Sequence, residues 1–443
     1  MSLRAPLLYL GMAAVLLLIG WLQSWSVALS IVNLCLISAV MALGVNMQWG
    51  YAGLFNVGIM GFAALGGVAA VLVSMPPVAA AWAAGAGGIG LAALAVALTA
   101  VAATALRRRL APGRWRVLAV TLVVLLGYAL ARRAFDPGAE AIEAVDPALT
   151  GYLGGLGLPI LLAWLVGGLF AAGAAWLVGK TALGLRSDYL AIATLGISEI
   201  ILSVLKNEDW LTRGVKNVTG LPRPVPYEID LQAAPWFVAR AEAWGIDPVE
   251  ASSIAVKLAY AGLFLAVLVV LMWLAERALN APWGRMMRAI RDNETAAEAM
   301  GKDVTGRHLE IFVLGSAVVG IAGAMLTTLD GQFTPGSYNP LRFTFLIWVM
   351  VIVGGSGNNW GAVFGAFLVW LVWVEAEPAG RWLMGAITAG LGEEHWLRLH
   401  LIAGAPHMRM VLMGAILILA LRFSPKGLIP ERPRTRPARA PDC

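Results

Sequence analysis

Between residues 6 and 422 the chain is a succession of apolar stretches, most of them close to the roughly twenty residues an α-helix needs to cross bilayer hydrocarbon. They run over 6–23, 26–47, 50–74, 78–106, 114–133, 153–178, 188–206, 254–275, 309–330, 341–355, 360–376 and 408–422. With 60% hydrophobic and 13% charged residues, a soluble globule of this length would lack the polar surface to cover itself. No period-two alternation recurs at the length of a barrel strand, so helices are the way for these segments to satisfy their backbones in lipid. The predicted fold class is therefore all-α: a polytopic integral membrane protein of about 10–12 transmembrane helices, one domain over residues 1–430. Residues 431–443, ERPRTRPARAPDC, read as a disordered tail.

Charge sets the expected orientation, because Lys and Arg near span ends stay on the cytoplasmic side. With both termini inside, that face collects Arg4, the cluster Arg107, Arg108, Arg109, Arg114 and Arg116, then Lys180, Arg186, the cations of 277–308 and the basic tail. These are the larger part of the 32 Lys and Arg. The opposite face collects Asp136, Glu140, Glu143 and Asp146, and the acids of a proline-rich loop at 207–253. The net charge of +6 is this basic inner face, and nucleic acid is not needed to explain it. Arg4 and the apolar run behind it read as an uncleaved first helix, since no small-residue cleavage site precedes the second run. Cys35 lies inside a span and Cys443 ends the chain, so neither a structural disulfide nor a metal site is expected.

Residues 283–308, WGRMMRAIRDNETAAEAMGKDVTGRH, form one long polar, helix-prone stretch between two apolar spans. Asp292 and Asn293 can cap a helix start, Glu294 and Glu298 are acidic, and Gly301 sits where a left-handed C-terminal cap belongs. Met286, Met287, Ile290, Ala297 and Met300 supply apolar knobs suited to docking a soluble partner. The competing reading is a basic amphipathic helix lying on lipid headgroups.

RAIRDNETAAEAMG, from Arg288 to Gly301, resembles the coupling loop of ATP-binding-cassette importer permeases, and its wording is closest to the branched-chain amino-acid permeases of the LivM type. Four further blocks resemble that family in the same order: GYAGLFNVGIMGFAALGG at 50–67, SDYLAIATLGISEI at 187–200, VIVGGSGNNWGAVFGA at 351–366 and RFSPKGLIP at 422–430. Two features depart from it: an apparent insertion at 74–151, and RGVKNVTGLPRP in the outer loop where a more glycine-rich version is expected. The resemblance implies a permease subunit of the bacterial inner membrane that moves leucine, isoleucine or valine, or a related solute such as urea or a short amide. It implies as partners two ATPase subunits, a second homologous permease and a periplasmic substrate-binding protein. Arg288, Arg291, Glu294, Ala297, Glu298 and Gly301 would carry the ATPase coupling.

No catalytic apparatus is expected in the chain itself. GAAWLVGKT at 173–181 only approaches a phosphate-binding loop and closes an apolar helix, so ATP hydrolysis belongs to another subunit. GGSG at 354–357 resembles an intramembrane serine-protease motif, but His308, His395, His400 and His407 fall too far away to serve as its base. For the translocation path the candidates are Asn56, Gly58, Thr194, Ser198, Glu199 and Asp330, with Gln332 weaker. Glu199 leads them, because a carboxylate within a span is functional by default, against the alternative of a bond to a neighbouring helix. The clustered glycines at 50–67 suit either close helix packing or a helix broken around a pore. The rival function is a secondary transporter driven by an ion gradient, with Glu199 as its ion site.

Overall fold

Inside hydrocarbon every backbone polar group must be satisfied by protein, and the computed structural model, which describes residues 4–431, meets that demand with helices. In chain order they are α1 (Arg4–Leu22), α2 (Trp25–Asn46), α3 (Ile59–Ser74), α4 (Ala79–Arg109), α5 (Arg114–Glu143), α6 (Ile160–Ala182) and α7 (Ser187–Asn207). Three short helices follow, α8 (Asp209–Thr212), α9 (Glu228–Ala233) and α10 (Pro235–Ala243). Then come α11 (Pro248–Asn280), α12 (Pro282–Asp292), α13 (Glu294–Ala299), α14 (Val304–Asp330), α15 (Pro340–Gly354), α16 (Asn359–Ile387), α17 (Trp396–Ala403) and α18 (Met408–Phe423). Among the described residues ten helical segments are long and apolar enough to cross a membrane, and α3 and α15 are shorter apolar helices. The chain is a multi-pass, all-α membrane protein. The tail expected to be disordered, 431–443, falls outside the described residues except for Glu431.

Most expected spans match a helix to within a few residues, and the stretch at 50–74 is the main exception. There α2 runs on through a π-helical turn, Met47–Tyr51, and the chain then leaves helical geometry until Ile59. Gly53, in the left-handed region at φ +72°, makes the break. The 16 residues of α3 reach about 24 Å, less than the ~30 Å of hydrocarbon. Three other corrections are smaller. Residues 153–159 are not helical, because that segment pairs with 75–78 through a bridge between Pro77 and Gly154. The helices expected to stop near 133 and 376 continue through Pro137 to Glu143 and through Pro378 to Ile387.

The packed centre is built on small residues. A Cβ on Gly66 would collide with the Gly320 carbonyl of α14, and one on Gly323 with the Ala63 carbonyl of α3. Gly167 of α6 lies against Gly66, with the Gly66 Cα 3.0 Å from where a Cβ would stand. Backbone meets backbone along α3, α6 and α14, the contact small residues permit when no hydrophobic force draws helices together. The periphery differs. Only 6% of the most apolar part of α4 is buried, against 72% of that of α2.

At one end of the bundle, the segment at 207–253 supplies α8 to α10 and a strand, Val218–Thr219, which pairs antiparallel with Gln332–Phe333 beyond α14. At the other end, the polar stretch 283–308 becomes two helices, α12 and α13, separated by Asn293. The Asn293 side chain accepts from the Ala296 N–H at 3.0 Å, and Gly301 follows α13 at φ +75°. Asp292 is the last residue of α12 and pairs with Arg291, so the capping falls to Asn293 alone.

Candidate functional site

The break between α2 and α3 leaves backbone groups of 53–58 inside the bundle, and polar side chains of α7 and α15 meet them. The Val57 N–H donates to Thr194 Oγ1 of α7 at 3.0 Å, and the Gly58 N–H to Asn56 Oδ1 at 2.8 Å. Trp348 Nε1 of α15 donates to the Asn56 carbonyl at 3.1 Å. Asn56 Nδ2 donates to Gln48 Oε1 at 2.9 Å, and Gln48 Nε2 reaches the Phe312 carbonyl at 2.9 Å and Ser316 Oγ at 3.0 Å on α14. All of these side chains are buried. Non-helical backbone at membrane depth persists only where protein covers it or where it borders a path for solute.

Glycine allows α7 to come this close. A Cβ at Gly58 would strike the Thr194 carbonyl, and one at Gly61 would stand 2.8 Å from the Ser198 Cα. Ser198 Oγ is buried and has no hydrogen-bond partner among the described residues. Beside the break, Trp49, Phe55 and Trp348 form a trio with ring centroids 4.6–5.5 Å apart. The site thus joins a polar, partly unsatisfied face to an aromatic wall.

Four of the expected path residues, Asn56, Gly58, Thr194 and Ser198, come together here. Glu199 and Asp330 do not. Thr194 and Ser198 lie one turn apart on the inner face of α7, and Glu199, about 100° further round the helix, is exposed on the outer face. Asp330 is exposed at the last residue of α14, fourteen residues beyond Ser316, or roughly 21 Å of helix. Gln48 and Trp348 belong to the site but carry no distinguishing sequence signal beyond an amide and an indole NH in apolar surroundings.

The polar end around α12 and α13 is tied to the bundle by a second network. Arg291 donates to the Gly50 carbonyl at the end of the π-helical turn and pairs with Glu431 Oε2 at 3.0 Å. The segment leading to Glu431 is itself fastened, the Leu428 and Ile429 N–H groups each donating at 2.9 Å to the Val353 and Gly354 carbonyls. Asn46 Oδ1 accepts the Gly357 N–H at 2.8 Å, Asn46 Nδ2 donates to Asn359 Oδ1 at 3.1 Å, and Tyr51 OH donates to the same oxygen. Asn359 Nδ2 then donates to Glu276 Oε1 on α11 at 3.1 Å. The end of α2, the α15–α16 turn, α11 and α12 are therefore joined by one hydrogen-bonded network.

The six expected coupling residues divide. Glu294, Glu298 and Gly301 are exposed around α13. Arg288, half-buried, donates to the Leu279 carbonyl at 3.3 Å. Arg291 turns inward, and Ala297 is buried in a small cluster with Ile290, Val304 and Met286. Arg291 and Ala297 thus hold the loop's own structure, because the faces of α12 and α13 that carry them are the ones packed on the bundle. Met300, 74% exposed, is the apolar side chain left on the outside of α13. Arg291→Ala should speed amide exchange across 287–297, measured by hydrogen–deuterium exchange, whereas Arg285→Ala, at an exposed position, should not; equal exchange in both would remove the anchoring role.

The model of a family described as branched-chain amino acid transport system, permease component, matches residues 114–421. The high-affinity branched-chain amino acid transport system permease protein LivM of Escherichia coli K12 is 27% identical over 331 residues, 72% of this chain and 66% of the relative. This chain therefore spans just under two thirds of that protein's length. A probable branched-chain amino acid transport permease protein LivM of Methanocaldococcus jannaschii is 28% identical over 285 residues, 64% of this chain and 71% of the relative. The xylose transport system permease protein XylH of Escherichia coli K12 is 24% identical over 228 residues, 50% of this chain and 45% of the relative. No solved structure matches the chain.

Proposed function

The chain belongs to the family of branched-chain amino acid transport system permease components, and from that premise we propose that it is the permease subunit of an ATP-driven importer carrying branched-chain amino acids across a bacterial inner membrane. The observation that carries this reading is the break between α2 and α3. A helix interrupted inside the bundle, flanked by an unpartnered hydroxyl and an aromatic wall, suits a small zwitterion with an aliphatic side chain. The positive end of the α3 dipole lies at Gly58, where it favours a carboxylate. Trp49, Phe55 and Trp348 offer the apolar surface for a branched side chain.

In this proposal both termini and 277–308 are cytoplasmic and 207–253 is periplasmic, as the basic and acidic ends favour. Two ATPase subunits dock on α12 and α13, and a periplasmic substrate-binding protein delivers solute to the opposite end. In this reading ATP binding and hydrolysis belong to those ATPase subunits and not to this chain.

A second permease completes the pathway against α7. Ile192, Gly196, Glu199 and Ser203 form its exposed stripe, and a Cβ at Gly196 would meet open space. A carboxylate facing hydrocarbon is costly, so this stripe calls for protein or water opposite it. Glu199→Leu should weaken retention of the second permease during purification, whereas Glu199→Gln should retain it. Undiminished retention in the leucine variant would mean that α7 faces lipid.

Reconstitution with both ATPases, the second permease and the binding protein tests the whole reading. Leucine, isoleucine or valine should enter proteoliposomes only with ATP, and Glu199→Gln should leave that energy source unchanged. Uptake of xylose or urea in place of leucine would overturn the substrate. Uptake driven by an imposed proton gradient without ATPases would overturn the mechanism in favour of an ion-coupled carrier.

A further inference from the structure

Among the described residues the α4–α5 hairpin is a module attached at one end only. Its two helices pack on each other through Gly85 and Gly88 against Gly138, and through Gly127 on Thr99. The rest of the molecule meets it at its base. Ala81 and Ile142 pack with Leu153, Phe135 meets Trp210 with centroids 5.5 Å apart, and the Trp210 N–H donates to Glu143 Oε1 at 3.2 Å. Beyond that base the sides of the hairpin are apolar and exposed, Leu94, Val96, Leu98, Leu122 and Leu126 among them. They fit hydrocarbon on all sides.

The tip has a different character. Arg107, Arg108 and Arg109 end α4, and Arg114 and Arg116 open α5 across a four-residue turn. None of the five pairs with a carboxylate among the described residues. The sequence makes such a partner remote: the first acidic residue of the whole chain is Asp136, which lies near the base and pairs with Arg132 at 3.1 Å. Trp115 is 72% exposed beside these arginines, and Leu110 is exposed in the turn. With 31 residues α4 spans about 46 Å, longer than the ~30 Å hydrocarbon layer, so its end reaches the headgroups.

We propose that the hairpin tip is a binding site for anionic phospholipid headgroups. Arginine forks match phosphate oxygens in pairs. An exposed indole and a leucine sit at the boundary between headgroup and acyl chain, where amphipathic rings concentrate. A tip surrounded by lipid along the length of its stem meets headgroups first, and the missing counter-charge is supplied by the membrane. The hairpin then anchors the permease rim to an acidic leaflet, and this role does not depend on which solute is carried.

The test uses the full-length chain in neutral detergent, titrated with dioleoylphosphatidylglycerol or dioleoylphosphatidylcholine and read by native mass spectrometry. Each arginine near an acidic surface strengthens attachment by about fivefold, so the wild type should retain phosphatidylglycerol roughly tenfold or more over phosphatidylcholine. The triple variant Arg107→Gln, Arg108→Gln, Arg109→Gln should lose most of that preference, and the three Arg→Lys changes, which keep charge and insertion, should preserve most of it. Lys180→Gln with Arg186→Gln, cations at the same end but off the hairpin, should leave it intact. Equal retention of the two lipids by the wild type, or an equal loss in the Lys180 and Arg186 variant, would overturn the proposal. So would an unchanged preference in the glutamine variant accompanied by loss of co-purifying ATPase, which would assign the tip to a protein. If the triple variant fails to insert, Arg108→Gln alone should reduce the preference by about fivefold, and no change there would likewise reject the site.

Discussion

Replacement of Gly58 by valine is expected to cut uptake sharply while the permease still inserts and keeps its ATPase subunits. A side chain at this position would strike the Thr194 carbonyl and stand 3.0 Å from the Thr194 carbonyl carbon, both of them backbone atoms of α7 that cannot rotate away. The segment 53–58 must therefore withdraw from α7, and the Val57 bond to Thr194 Oγ1 is lost with it, while the new side chain also crowds Asn56 Oδ1 at 3.3 Å. Each buried donor left unmatched costs about 1–3 kcal/mol, so uptake should fall by roughly tenfold or more. Gly173→Val is the control, because a Cβ at Gly173 on α6 meets open space. The coupling end is held by a separate network through Asn46, Asn359 and Arg291, so ATPase co-purification should survive in both variants. Normal uptake by the Gly58→Val protein would remove the break from the translocation path.

Spans and break were unequally legible for a physical reason. Span existence depends on local apolarity, which α1, α2, α6 and α14 display over lengths near twenty residues. The gap at 53–58 is as apolar as its flanks, and it is stabilised by donors and acceptors from Thr194, Gln48 and Trp348, distant in sequence by up to 292 positions. Nothing local marks it except glycine and asparagine. The same distinction holds at the polar loop. Asn293 and Gly301 announce the ends of α13 because capping is a local bond, whereas the inward turn of Arg291 depends on Gly50 and Glu431, which the fold brings to it. For Glu199 the sequence identifies a carboxylate in a span, but which way a helix faces follows from packing. Thr194 and Ser198, buried against Gly58 and Gly61, rotate Glu199 outward.

A charge introduced inside the loop and one introduced on its surface should uncouple transport in two distinguishable ways. Ala297 is 5% exposed and packs with Ile290 and Val304, so Ala297→Glu must either bury an unpaired carboxylate, at about 3–5 kcal/mol, or open the loop. The cluster around Ala297 is small, four side chains in all, and opening is the expected outcome. Amide exchange across 287–304 should rise, ATPase subunits should fail to co-purify, and ATP-driven uptake should vanish although the spans still insert. Met300→Glu leaves the loop folded, since the side chain is already 74% exposed. If α13 is the docking surface, this variant should also lose ATPase, now with exchange rates at the wild-type level, because an apolar knob at the centre of a contact contributes more than its rim. Ala297→Ser, small enough to stay buried, should behave as the wild type. Full ATPase retention and normal uptake in both glutamate variants would leave α12 and α13 as a headgroup-bound segment, and the ATPases would then have to dock elsewhere.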